Sequence, residues 1–129
     1  MRVIKVKTSK REVFIDITEM VKEKIDKDGV MFLFTPHTTC GITINEGYDP
    51  NVCEDIIRCL SEIIKRDSPY FKHREGNSDS HIKASIIGSS VSIFIKDKKP
   101  LLGTWQRVFL CEFDGPRERE VWIKCLGGY

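Results

Sequence analysis

Residues 34–47 read FTPHTTCGITINEG and gather His37, Thr38, Thr39, Asn45 and Glu46 between two apolar runs. An imidazole, hydroxyls, an amide and a carboxylate in one stretch can move protons and hold anions, so this segment is where chemistry is first sought. Of the three histidines in 129 residues, the other two fall in a second polar run, HREGNSDSH, as His73 and His81. Asn77 and Asp79 stand between them. If His37, His73 and His81 converge, they make a three-nitrogen set with an open position that suits zinc. Carboxylate oxygens with retained water suit magnesium instead, so the residue types admit either ion. A second arrangement leaves His73 on a solvated loop and uses His37 and His81 only as hydrogen-bonding groups toward a substrate. Glu46 is the carboxylate best suited to act as general acid or base, or else it steadies the helix start that follows at Asp49.

The elements that must position these groups follow from hydrophobic period and from turn residues. Residues 30–34 are an apolar strand. Pro36 cannot donate a ladder hydrogen bond, so the strand ends there with His37 at its tip. Residues 42–46 alternate, which turns Ile42 and Ile44 toward a core. Asp49 and Pro50 are a cap and a first-turn residue, and Cys53, Ile56, Ile57, Leu60, Ile63 and Ile64 recur at three and four, predicting a helix over 50–65 with a buried apolar stripe. Earlier in the chain, Val3 to Val6 and Val13 to Ile17 read as a hairpin, followed by a short helix over 18–26 capped by Asp16 or Thr18. Later, residues 81–87 read as a helix sending Ile82, Ala84, Ile86 and Ile87 inward. Strands follow at 91–95, 105–113 and 121–126, with KDKKP at 96–100 as a solvated turn and Asp114, Gly115 and Pro116 as another turn. The expected fold is one α+β domain over residues 1–129, with mostly antiparallel sheets, hairpins at both ends, one long amphipathic helix and shorter helices.

Composition narrows the classes further. A net charge of +2 with 31% charged residues gives no reason to expect nucleic acid as a partner. The five cysteines form no CxxC pair, which suits a reduced compartment. The start MRVIKVKTSK lacks the apolar stretch of a signal peptide and the longest apolar run, VMFLF, is too short to span a bilayer, so no membrane is expected and the cytoplasm is the expected location. Walker, GxGxxG, HExxH and GxSxG patterns are absent from the sequence.

Four segments, HTTCGITINE at 37–46, GNSDSHIKASIIGSS at 76–90, LLGTWQ at 101–106 and EFDGPRER at 112–119, together resemble the YjbQ or UPF0047 family along nearly the whole chain. The resemblance implies a trimeric α+β fold and a secondary thiamine-phosphate synthase activity, in which a pyrimidine methyl pyrophosphate is joined to a thiazole phosphate with release of pyrophosphate. It also implies a site drawn from His37, Asn45, Glu46, Asn77, Asp79, His81, Trp105, Gln106, Asp114, Gly115 and Arg117. A reaction of that kind needs anion binding, which the amides around Thr38 to Gly41, the hydroxyls of Thr38 and Thr39, and Arg117 or Arg119 can supply, with a divalent ion assisting. Trp105 then either stacks on a heterocycle or packs in the core, and Gln106 can read a heterocycle edge. Asp114 and Arg117 either touch ligand or pair with each other to shape a turn. Cys40 stands where a small residue is usual, which argues against a nucleophilic role. The expected partners are a small phosphorylated substrate and two further copies of the chain. A non-catalytic binding protein for a metal or a phosphorylated metabolite is the alternative.

Overall fold

The computed structural model describes residues 1–128. Its elements in chain order are β1 (Arg2–Lys7), β2 (Val13–Asp16), α1 (Thr18–Lys22), β3 (Gly29–Phe34), β4 (Cys40–Glu46), α2 (Pro50–Ile63), α3 (Ser78–Ile87), β5 (Ser90–Lys96), β6 (Lys99–Pro100), β7 (Gln106–Glu112) and β8 (Glu118–Leu126). Five strands pair in the order β1-β8-β3-β5-β6 and three in the order β2-β7-β4. Every pairing is antiparallel. The α+β class with mostly antiparallel sheets is as expected.

Strand alternation explains the layering. Ile4, Val6, Met31, Leu33, Ile93, Ile95, Val121 and Ile123 point from the larger sheet onto Ile42, Val108 and Leu110 of the smaller one, forming the main core. The opposite side chains of the smaller sheet, Phe14, Phe109 and Cys111, join Phe113 and meet α2 and α3 in a second cluster. Strand β7 is therefore covered on both faces, and its residues Val108 to Glu112 are all buried. The outer face of the larger sheet carries Val3, Phe32, Phe34, Phe94 and Leu126, all exposed.

Four expectations are corrected. The terminal strands do not form hairpins: β1 pairs with β8 and β2 with β7, in different sheets. The connections between the sheets run side by side instead, with Thr8 N–H donating to Arg117 O at 2.8 Å and Gly115 N–H to Arg11 O at 3.0 Å. A side chain at Gly115 would meet Lys10 O at 2.3 Å, so this crossing requires glycine. Helix α1 stops at Lys22, because beyond its cap Glu23 the amides of Lys24 and Ile25 bond to the carbonyls three residues back, as a tighter turn does. The α2 stripe is only partly covered. Asp49 caps this helix by accepting from Asn51 N, as expected, but Ile63 is 72% exposed and a cavity of about 430 Å³ opens between α2 and Phe14 and Phe109.

Helix α3 buries a different face from the one expected. Ile82 and Ile86 are exposed, while Asp79, Ser80, Lys83 and Ala84 are the buried positions. A face at i, i+1, i+4 and i+5 is helical, but here it is polar and is covered because its groups are paired. Just past its end, α3 meets the sheet where Gly88 O accepts from Ile42 N at 3.0 Å and a Cβ on Gly41 would meet that carbonyl at 2.6 Å. Gly41 thus lets the helix lie against β4 and brings His81 toward the segment before it.

Candidate functional site

The segment between β3 and β4 is held by β8. Thr35 Oγ1 donates to Glu120 O at 2.9 Å, and the Glu120 N–H donates to His37 Nε2 at 2.9 Å. His37 is partly buried; that burial, together with the charge of Arg119, lowers its pKa below the usual histidine value. The turn after β7 supplies the opposite wall. Asp114 accepts from Asn77 Nδ2 at 2.7 Å and from Arg117 Nη2 at 2.9 Å, and its own N–H donates to Glu112 Oε1 at 2.9 Å. Arg119 Nη2 donates to Thr39 Oγ1 at 2.8 Å, which presses the β3–β4 segment onto β8. Burial disfavours the Arg119 cation, but the Glu112 carboxylate outweighs it and raises the guanidinium pKa.

These contacts leave a cavity of about 270 Å³ bounded by Pro36, His37, Thr38, Thr39, Glu75, Asn77, His81, Arg117 and Arg119. A second, of about 320 Å³, shares His37, Thr38 and His81 and continues along Cys40, Ser85 and Ser89. The cavity under α2 is larger but is lined by no histidine and draws on Val13, Phe14, Ile57 and Phe109 for its inner wall. The smaller pair is taken as the candidate site because cationic, hydroxyl and imidazole groups converge there. Burial raises the Cys40 pKa, so that thiol does not resemble an activated nucleophile.

Of the expected site residues, His37, Thr38, Thr39, Asn77, His81 and Arg117 surround the first cavity. Asp114 stands behind Asn77 and Arg117 and pairs with both. Asp79 is buried beneath α3 in a two-pronged bond to Arg11, at 3.1 and 3.2 Å, where it holds the helix. His73 stacks edge-on against His81 with ring centroids 5.1 Å apart and lies 3.6 Å from Glu75. Asn45, Glu46, Trp105 and Gln106 stand elsewhere. Glu46 pairs with Gln106 at the end of β4 remote from His37, roughly 20 Å along a strand of this length. Trp105 is 54% exposed against Tyr48, so it is not a core residue, and Gln106 Oε1 accepts from Gly103 N at 2.7 Å to close a turn.

The three histidines are not gathered as one ligand set among the described residues. Nε2 of His37 is engaged by the Glu120 amide, and among the described residues no three His, Cys, Asp or Glu side chains are grouped to hold an ion. The carboxylates of Asp79 and Asp114 are likewise committed to Arg11, Lys83, Asn77 and Arg117.

Sequence reasoning missed the supports of the site. Lys83, 2% exposed, donates to Glu12 and lies 3.2 Å from Ser61 Oγ and 3.4 Å from Asp79 Oδ2, tying α3 to α2 and to the connection just before β2. The spacing of Asp79 and Lys83 by four was the available signal. Glu112 and Glu120 had none, since their roles depend on pairing across distant strands.

This three-layer α+β architecture, with polar loops gathered where α3 meets β4 and β8, defines the class of protein. Residues 2–128 match the family model described as UPF0047 protein YjbQ-like, and the chain belongs to that family. It is 53% identical over 126 residues to the UPF0047 protein MJ1081 of Methanocaldococcus jannaschii, covering 95% of this chain and 91% of the relative. It is 39% identical to the UPF0047 protein YugU of Bacillus subtilis, covering 98% and 99% respectively. Among solved structures, a conserved hypothetical protein TT1486 of Thermus thermophilus superposes with a TM-score of 0.95 at 42% identity, covering 98% of this chain and all, 100%, of that one. A YjbQ/UPF0047 protein of Clostridium acetobutylicum gives 0.92 at 47% identity, covering 96% and 98%. No helix among the described residues is long and apolar enough to cross a membrane.

Proposed function

We propose that this chain is a transferase for small phosphorylated substrates, with thiamine-phosphate synthesis as its reaction. The observation that carries this reading is the cavity where Arg117, Arg119, Thr38 and Asn77 meet two imidazoles. Loss of pyrophosphate from a pyrimidine methyl carbon leaves a stabilised cation while the thiazole nitrogen forms the new bond. The protein's part is to hold the departing anion and to keep the two rings in line. Arg117, half exposed and paired with Asp114, lines the cavity for that task together with Thr38, and buried Arg119, its charge matched by Glu112, holds Thr39 in place beside them. His81 lines both cavities and is the group placed to exchange a proton with the bound ligand.

No step of this reading passes through a protein-held metal. A zinc or magnesium ion enters the proposal as one carried by the pyrophosphate, and metal analysis of the purified protein tests for one held by the chain. We also propose a homotrimer acting in the cytoplasm. Support for self-association comes from the outer sheet face, where Phe34 packs on Trp122 with centroids 5.7 Å apart and Phe94 is 68% exposed. Light scattering that finds only a monomer at micromolar concentration refutes the trimer.

The alternative, a binding protein for a phosphorylated metabolite or metal, is favoured by one observation: Glu46, the expected general acid or base, stands at the far end of β4. Incubating the pyrimidine pyrophosphate and thiazole phosphate with folded wild type and His81→Ala separates the two. Product from the wild type that is lost in the variant supports the transferase. No product from either, with pyrophosphate still bound, supports the binding protein.

A further inference from the structure

The tautomer of His37 is set by a break in the β-ladder. Strand β3 pairs with β8 as far as Phe34 opposite Trp122. Continuing that register would put residue 36 opposite Glu120, and residue 36 is Pro36, which has no N–H for a ladder bond. Glu120 nevertheless has both backbone groups satisfied, because side chains replace the missing strand. Thr35 Oγ1 donates to its carbonyl and His37 Nε2 accepts from its N–H, each at 2.9 Å.

An amide N–H can only donate. His37 Nε2 must therefore be the unprotonated nitrogen of the ring, and in the neutral imidazole the proton then sits on Nδ1. Nδ1 has no hydrogen-bond partner among the described residues, and the ring lines both cavities beside Thr38 and His81. We infer that His37 is a neutral, tautomer-locked hydrogen-bond donor, presenting Nδ1–H to an anionic oxygen of the phosphorylated ligand, and is neither a metal ligand through Nε2 nor the general base. The donor role rests on the anion-site reading above, whereas the tautomer follows from the Glu120 contact alone. Proton exchange with the ligand then falls to His81.

The test is long-range proton–nitrogen NMR on the full chain labelled with ¹⁵N-histidine, the three rings being assigned by single His→Gln variants. At a pH where the rings are neutral, His37 is expected to show a protonated Nδ1 and a bare Nε2, the reverse of the tautomer that predominates for free histidine. A protonated Nε2 on His37 overturns the inference. Adding inorganic pyrophosphate is expected to shift His37 Nδ1 saturably. A response at His81 without one at His37 overturns the donor role and leaves the anion site in place. No response at either histidine overturns the anion-site reading and the donor role with it. Two variants, each checked for fold by circular dichroism, give a second readout. His37→Asn keeps an N–H donor near the Nδ1 position and is expected to bind pyrophosphate within about threefold of wild type, while His37→Leu is expected to lose roughly tenfold or more. Equal affinity of the Leu variant and wild type contradicts the donor role.

Discussion

Arg119 Nε donates to Glu112 Oε2 at 2.8 Å with both side chains sealed from solvent, 3% and 0% exposed. The pair joins β7 to β8 at the edge of the candidate site. Glu112 also accepts from Thr8 Oγ1 and from the Asp114 N–H, each at 2.9 Å, so one carboxylate fixes both crossings between the sheets. Removing it leaves a buried guanidinium without its charge partner. Glu112→Ala is expected to lose about 3–5 kcal/mol of unfolding free energy by denaturant titration. A loss below about 1 kcal/mol, the range of exposed pairs, would contradict the role given to this carboxylate.

Asp79 makes stability depend on acid. Burial alone would raise its pKa, but the hydrogen bonds and charge of Arg11, with the charge of Lys83, outweigh it and hold the carboxyl below the ordinary value. The unfolded chain then takes up a proton at Asp79 before the folded one does. Its contribution is complete above the unfolded pKa, about 3.9, and declines as pH falls from there through the folded value. Asp79→Asn should flatten the fall in stability below about pH 4 relative to wild type. Parallel acid limbs for the two proteins would show that this carboxylate does not set it.

Lys83 should be more costly to remove than a surface lysine. Its ammonium is shared among Glu12, Asp79 and Ser61 on three separate segments. Lys83→Met leaves two carboxylates facing each other around an apolar side chain, and a loss of about 3–5 kcal/mol is expected in chemical denaturation. Because Asp79 belongs to the same network, the double change Lys83→Met with Asp79→Asn should cost less than the sum of the single changes. Simple additivity would mean that the network is not coupled.

These supports mark the limit of what could be read from the sequence. Alternation located the strands around Ile42 and Ile44, and Asp49 with Pro50 marked the start of α2. Pro36 correctly ended β3 and put His37 at its tip. Hydrophobicity misassigned α3, since a buried Lys83 and Asp79 are tolerable only when Arg11 and Glu12, about seventy residues earlier, are folded against them. The hairpins were misjudged because adjacency in sequence favours them, whereas the paired crossings at Thr8 and Gly115 depend on contacts more than a hundred residues apart. Within the expected site, the polar ends of β4 looked contiguous in sequence, yet a strand separates Glu46 from His37 by its whole length.

The turn joining β5 to β6 offers a stabilising change. Asp97 and Lys98 both have positive φ, 53° and 58°, and the Asp28 carboxylate accepts from their backbone amides at 2.9 and 2.8 Å. A two-residue hairpin turn of this hand favours glycine at its second position. Lys98→Gly should raise stability by about 0.5–1 kcal/mol, seen as a melting temperature several degrees higher. An unchanged or lower melting temperature would show that unfolded-state entropy outweighs the relief of strain.

The central claim, that the cavity between His37, His81 and Arg117 binds the phosphates of a small substrate, is tested most directly by isothermal titration of inorganic pyrophosphate into wild type and Arg117→Met. Saturable binding to the wild type that weakens as salt is added is expected, with an affinity reduced about tenfold in the variant. No binding by the wild type, or equal affinity in both proteins, would contradict that claim.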